Sequence, residues 1–224
     1  FIASKASIVH YLDETGAELT AEEEIVGDVV YEGTASTANW VTGQSDACGN
    51  AFDFANTDYV WIDTLANTGT ALQIMSGDLW FKMNSISSAG IVWPFTSFGG
   101  ARFTVRYVGA TQTIDMSRNG MGILDTGFTP VVDTWYHIAW SIDNTANEQK
   151  IYINGVLNAS ATFGGDISYV TSRCLVYGVD SDDCSTFGGA KGDFVLDNIN
   201  LYKEYVLTAD NVTHLYNNGS CIPH

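Results

Sequence analysis

The stretch from Asp133 to Ser160, DTWYHIAWSIDNTANEQKIYINGVLNAS, constrains the fold more than any other part of the chain. Trp135, His137, Ala139 and Ser141 alternate with Tyr136, Ile138, Trp140 and Ile142. That period of two belongs to a strand with two unlike faces. Asp143 to Gln149 is polar and turn-forming, and Lys150 to Ile153 is the returning strand. Asn154-Gly155 is a hairpin dipeptide, because a type I′ turn needs positive φ at both central residues. Val156 to Thr162 is then a third strand, and the centre of the chain is committed to an antiparallel sheet.

The rest of the chain repeats the pattern less strictly. Short apolar runs read as strands at Ala6 to Leu12 and Val26 to Tyr31. Paired strands follow at Ala51 to Phe54 and Tyr59 to Asp63, then single runs at Asp78 to Asn84, Ser168 to Tyr177 and Asp193 to Tyr202. Ala89 to Phe95 and Ala101 to Val108 flank a loop from Pro94 to Gly100. Thr111 to Ser117 pairs back after a turn at Gly109. Phe103, Val105 and Tyr107 alternate with Arg102, Thr104 and Arg106, so one face of that strand is polar. Glu14 to Asn39 reads as a long acidic segment, and Ser117 to Thr129 as irregular. Near the end, Thr208 is an N-cap, Val212, Leu215 and Tyr216 form one apolar helical face, and Gly219 stands where a C′ glycine belongs. Many short strands with almost no helix give a β-sandwich. A chain of 224 residues has room for one large all-β domain or two small ones.

WYHIAWSID…KIYINGVL resembles the core of the laminin-G-like group of concanavalin A-like jelly rolls. Ile8 to Asp13, Gly49 to Phe54 with Asp58 to Ile62, and Phe194 to Tyr202 with Leu207 to Gly219 resemble other segments of that group, in the same order. The resemblance implies an all-β jelly-roll sandwich of two antiparallel sheets with a short C-terminal helix. It also implies a single domain over 1–224, with 1–7 as an N-terminal arm and 208–219 as the helix. It does not fix function, because this fold hosts lectins, adhesion modules, hydrolases, lyases and structural proteins. Such jelly rolls often hold a structural Ca2+ ion, and Asp197 occupies the matching place on the last long strand, with Asp13 and the Gly49 backbone as its neighbours. Calcium takes oxygen ligands, and the Asp180, Asp182 and Asp183 loop is a second candidate, although it lacks the glycine and distal Glu of an EF-hand.

Catalysis finds less support. Glycosidases of this fold carry an E-x-D-x-E cluster, because the reaction needs two carboxylates held about 5–10 Å apart. The central strands DLWFKMN, ARFTVRYV, WYHIAWSI and KIYIN are nearly free of carboxylates. A lyase would want Tyr, His and Arg on one face. His137, Tyr107, Arg102 and Arg106 supply the types, but His137 stands where this group often has a structural histidine. No enzyme is expected. Glycan binding needs aromatic platforms with planar polar groups. Trp40, Trp93, Phe95 and Phe98, in or beside loops, are the candidates.

Nine basic against 26 acidic residues give a net charge of −17. Nucleic acid and anionic membrane need a cationic footprint and are disfavoured as partners. No apolar run approaches the roughly 20 residues that span a bilayer. The lack of an initiator Met and of a signal peptide reads as a processed or trimmed product. Cys48, Cys174, Cys184 and Cys221 are not spaced as a zinc site, which wants close pairs. Of the three possible connectivities, the expectation is Cys174–Cys184 across a loop and Cys48–Cys221 tying the tail to an early strand. Four buried free thiols are the alternative. Sequons at Asn158, Asn211 and Asn218 agree with an extracellular setting and N-glycosylation.

Two functional classes follow. One is an extracellular binding or adhesion module for a glycan or cell-surface protein. The other is a self-assembling subunit of a filament, appendage or virion surface, in which the apolar start FIASKASIV docks into a neighbouring copy as an oligomer contact.

Overall fold

The computed structural model describes residues 29–31, 39–45, 50–55, 59–62, 74–88, 92–98, 103–118, 122–163, 175–179, 192–203 and 205–220. Among them the strands are β1 (Val29–Tyr31), β2 (Asn39–Thr42), β3 (Asn50–Ala55), β4 (Val60–Ile62), β5 (Ile74–Met83), β6 (Val92–Phe98) and β7 (Phe103–Val108). They continue with β8 (Thr113–Arg118), β9 (Gly122–Asp125), β10 (Trp135–Asp143), β11 (Glu148–Ile153), β12 (Val156–Thr162), β13 (Leu175–Tyr177) and β14 (Asp193–Lys203). One helix, α1 (Ala209–Tyr216), follows and ends in a short 3-10 turn (Asn217–Gly219).

The strands form two antiparallel sheets. The first runs β1-β4-β13-β6-β7-β8-β9 and the second β12-β11-β10-β5-β14-β3-β2. Alternation puts Phe52, Phe54, Leu79, Phe81, Met83, Ile138, Trp140 and Leu196 on the inner face of the second sheet. They meet Phe95, Phe103, Val105, Tyr107, Ile114 and Met116 of the first in one continuous core. Burial of such side chains is the main stabilising contribution, about 1.5–3 kcal/mol for each large one. Phe95 packs its ring against Phe81 at 4.6 Å and edge-on to Phe194 at 4.9 Å.

The double hairpin forms as its sequence requires. β10 pairs with β11, β11 with β12, and Asn154 and Gly155 carry φ of 49° and 80°. Several expectations change. The strands at Ala51 to Phe54 and Tyr59 to Asp63 do not pair with each other. β3 joins β14 in the second sheet and β4 joins β13 in the first, so the chain changes sheets between residues 55 and 60. Pro94 to Gly100 is not a loop flanked by strands, since β6 continues to Phe98. Its register shifts between Pro94 and Thr96, an irregularity that accommodates a residue without an N–H. β9 lies in the segment read as irregular, and β2 in a stretch to which the sequence assigned no strand. The C-cap of α1 is Asn217, φ 45°, and Gly219, φ 89°, lies two residues beyond it at the end of the 3-10 turn rather than directly after the cap. The expected strand at Ala6 to Leu12 lies outside the described residues.

Candidate functional site

The centre of the outer face of the second sheet is covered by helix α1. On it, Asp78 of β5 is only 1% exposed and accepts three hydrogen bonds: from His137 Nε2 at 3.1 Å, Asn200 Nδ2 at 3.3 Å and Tyr202 Oη at 3.0 Å. An ionised carboxylate only accepts, so opposite one the Nε2 atom carries a hydrogen. The Nδ1 atom is buried without a hydrogen-bond partner. Helix α1 lies over this network. Leu207, Val212 and Leu215 pack on Ala139, Tyr152 and Tyr202, and Tyr216 stacks on Trp80 with centroids 5.8 Å apart. Ser76, fully buried, donates to the Tyr205 carbonyl at 2.7 Å and accepts from the Leu207 N–H at 3.0 Å, fixing the approach to the helix. The capping box at the start of α1 is reciprocal: Asn211 N–H donates to Thr208 Oγ1, and Thr208 N–H donates to Asn211 Oδ1.

The outer face of the first sheet differs. Register places Arg106 of β7 opposite Asp115 of β8, and Asp115 opposite Asp125 of β9. Arg106 donates from Nε to Asp115 Oδ1 at 2.7 Å and from Nη2 to Oδ2 at 3.3 Å, a forked pair. The Arg106 side chain keeps 20% exposure while that of Asp115 keeps 6%. Burial pushes the Asp115 carboxyl up, Arg106 pulls it down, and the Asp125 charge adds to the upward push. The Asp115–Asp125 juxtaposition was missed in the sequence, because it needs β9 to be recognised inside the glycine-rich segment. Both Asp115 oxygens are engaged by Arg106, so the pair offers no uncommitted acid and base.

The lyase-type residues are dispersed. His137 is fully buried beneath α1. Tyr107 lies in the core with its hydroxyl donating to the Ser87 carbonyl at 2.9 Å, and Arg106 is on the far face. Arg102 is outside the described residues. Of the aromatic candidates, Phe95 is fully buried in the core and is not a ligand platform, a correction that follows from the continuation of β6. At the level of backbone register, Trp93 pairs with Tyr107, Phe98 with Phe103 and Trp40 with Phe52. Trp93 and Phe98 thus share β6, beside the strand that carries Arg106, while Trp40 belongs to the edge strand β2 of the other sheet.

Asp197 sits at a register shift of β14, followed by Asn198 in the left-handed region with φ 46°. It is 5% exposed, and its Oδ2 accepts from the Gln44 N–H at 2.7 Å. The Gln44 side chain reaches on to the Gly219 carbonyl, so β14, the segment after β2 and the end of α1 are joined here. Burial pushes the Asp197 carboxyl up to about 6, against hydrogen bonds from the backbone of Gln44 and Asn198 that pull it down. A desolvated carboxylate of this kind suits an oxygen-seeking cation. No group of three His, Cys, Asp or Glu side chains suited to a metal occurs among the described residues. Asp13, Gly49, Asp180, Asp182 and Asp183, and all four cysteines, lie outside the described residues. Among the sequons, Asn158 and Asn218 are exposed and Asn211 is half-buried. No helix among the described residues is long and apolar enough to cross a membrane.

Two sheets packed face to face, with a helix on one outer face, define a jelly-roll class of lectin-like sandwiches. Residues 54–213 match the family model of the concanavalin A-like lectin/glucanases superfamily, and the chain belongs to that superfamily. Among solved structures it is similar to domain 4 of AbnA, a GH43 extracellular arabinanase from Geobacillus stearothermophilus, in complex with arabinotriose. The TM-score is 0.65 at 20% identity, covering 95% of this chain and 98% of that one. It is also similar to the binding domain of Paraclostridial Mosquitocidal Protein 1, with TM-score 0.68 at 13% identity over 93% of this chain and 51% of that one. The receptor binding domain of botulinum neurotoxin mosaic serotype C/D gives TM-score 0.64 at 12% identity, over 95% and 50%. The chain therefore spans nearly all of the arabinanase domain but about half of each toxin domain. At these identities the likeness establishes the fold. No curated protein sequence matches the chain.

Proposed function

We propose that the protein is a single, non-catalytic extracellular module that recognises a glycan or a glycan-bearing surface partner and is stabilised by calcium at Asp197. The observation that carries this reading is the contrast between the two outer faces. The centre of one is covered by α1, and the other presents the partly exposed Arg106 guanidinium, forked onto the buried Asp115. A planar guanidinium held by a carboxylate is suited to hydroxyl and carboxylate groups of sugars, and an adjacent aromatic would supply the apolar platform. Trp93 and Phe98, on the neighbouring strand, stand in register with the core residues Tyr107 and Phe103 rather than with Arg106, so they are not counted as that platform. Support comes from the similar fold of the arabinanase domain solved with arabinotriose, and of the toxin domains titled binding domains.

A glycan array that includes arabinan oligosaccharides, run with calcium and with a chelator, tests the reading. The expected result is binding to a defined saccharide class that weakens at least tenfold in Arg106→Ala. Absence of binding across the array, with filaments or defined oligomers in light scattering, would replace this reading with the assembly subunit. Calcium is tested separately by Asp197→Asn, which should abolish any calcium-dependent rise in Tm while leaving the chelated protein folded.

A further inference from the structure

We infer that Asn158 is the sequon that carries an N-linked oligosaccharide, and that this glycan screens the β12 edge of the second sheet, which no described strand covers. The inference rests on the extracellular setting of the proposed function, because the donor is found only along a secretory route.

β12 is the terminal strand of its sheet among the described strands, and its residues are exposed along most of its length. An uncovered edge presents unpaired N–H and C=O groups to any other strand. Proteins usually blunt such edges with charge, proline, a bulge or a cover. VLNASAT contains neither charge nor proline. It also exposes Val156 at 68% and Leu157 at 46%. The strand does carry a bulge. Ile151 pairs with Ala159 and Tyr152 with Leu157, so Asn158 is the extra residue, skipped by the ladder. Its side chain is exposed, and the hydroxyl-bearing Ser160 of the same sequon is exposed as well. Ala159 between them packs against the core, which anchors the sequon while its two functional side chains face water.

The other two sequons are built into the C-terminal cap. Asn211 Oδ1 accepts from Tyr205 Oη at 3.0 Å, Thr208 N–H at 3.0 Å and Thr208 Oγ1 at 2.8 Å. Thr213, the sequon hydroxyl, donates to the Ala209 carbonyl at 2.9 Å. Asn218 is exposed but lies in the left-handed region, φ 55°, within the 3-10 turn whose Gly219 carbonyl is held by Gln44. The attachment at Asn158 forms a bond from Nδ2 to the anomeric carbon of a polyprenyl diphosphate-linked oligosaccharide. The anomeric C–O bond breaks, the lipid diphosphate leaves with the electron pair, and the amide proton passes to the transferase. A glycan leaving the bulge covers Val156, Leu157 and the strand edge.

The test is secretion of the full chain, fitted with a signal peptide, from a glycosylating eukaryotic host. Peptide mass spectrometry then follows enzymatic release of N-glycans. Asn158 should be occupied in the folded product, and Asn158→Gln and Ser160→Ala should each lose the mass of one oligosaccharide. Native deglycosylation should raise the oligomeric fraction in light scattering at least twofold. An unmodified Asn158 peptide beside an occupied Asn211 or Asn218 would overturn the assignment. Occupancy without any change in association on deglycosylation would overturn the screening role. Glycan-array binding is read independently, so loss of the binding reading leaves this result intact.

Discussion

The two outer faces of the sandwich use the same chemistry for opposite ends. On the second sheet, a buried Asp78 receives three donors and α1 closes over it. On the first, Asp115 receives the fork of one partly exposed arginine, with a second carboxylate opposite on β9. A carboxylate hidden from water must have its acceptors filled by the fold, and removing it strands every donor around it. A carboxylate held by a half-accessible cation has a partner that can also address a ligand. What separates scaffold from surface here is the layer packed above each carboxylate.

The largest break in that comparison is Asp78→Ala. It leaves His137, Asn200 and Tyr202 without their common acceptor beneath the helix, and should cost about 3–5 kcal/mol. Urea denaturation followed by circular dichroism reads it directly. A loss below about 1 kcal/mol would mean that the network is not buried in solution and that α1 does not cover this face.

Next comes Asp197, where the sign is opposite to the common one. Its carboxyl is raised from 3.8 to about 6, so the folded chain holds the proton more tightly than the unfolded chain does. Stability from this group is fully present below the unfolded value and is lost as pH rises through about 6. In calcium-free buffer the native chain should lose about 2–3 kcal/mol between pH 4 and pH 7 through this group, and Asp197→Asn should remove that slope. A cation bound to the carboxylate favours the charged form and should offset the loss. A slope unchanged by Asp197→Asn would show that the carboxyl is solvated, and would remove the physical argument for an ion there.

How much of this was legible follows from how local each signal is. The double hairpin was readable because alternation and Asn154-Gly155 are adjacent in sequence and specify the turn by backbone sterics alone. The superfamily and the sandwich of two antiparallel sheets were readable from the same strands. The partition of β3 and β4 between different sheets was not, since both are apolar and only their distant partners, β14 and β13, distinguish them. Phe95 looked like a loop aromatic because Pro94 and the glycines beyond it suggested a break, while the shifted register lets the strand run through. The Asp115–Asp125 pair depended on β9, a four-residue strand with three exposed positions and no alternating signature. His137 read as structural and is so placed, but its acceptor comes from another strand, and no spacing within β10 points to Asp78.

Gly155→Ala tests the covered face more gently. The turn needs φ of 80° at this position, and an added Cβ would press on the Tyr216 ring at 2.8 Å. Strain and the displaced ring together should cost about 1–2 kcal/mol. Helix α1 should loosen first, seen as faster amide exchange at Val212 and Leu215 than in β10. Uniform acceleration across the molecule would instead mean that the helix and the sheet unfold as one unit.

The smallest effect belongs to the other face, and its smallness sharpens the contrast. Arg106→Ala should cost about 1 kcal/mol or less at pH 7, because a guanidinium with a fifth of its surface in water is partly screened. The loss should shrink toward pH 4. Burial and Asp125 already push the Asp115 carboxyl up, and without Arg106 it would protonate more readily and need no cation. Paired urea titrations at the two pH values measure the difference. A cost equal to that of Asp78→Ala would show that the Arg106 fork is as enclosed as the Asp78 network, and the first sheet would then offer no ligand face at this point. A small cost at both pH values, joined to a tenfold loss of saccharide binding, would assign the fork to recognition and the Asp78 network to the scaffold.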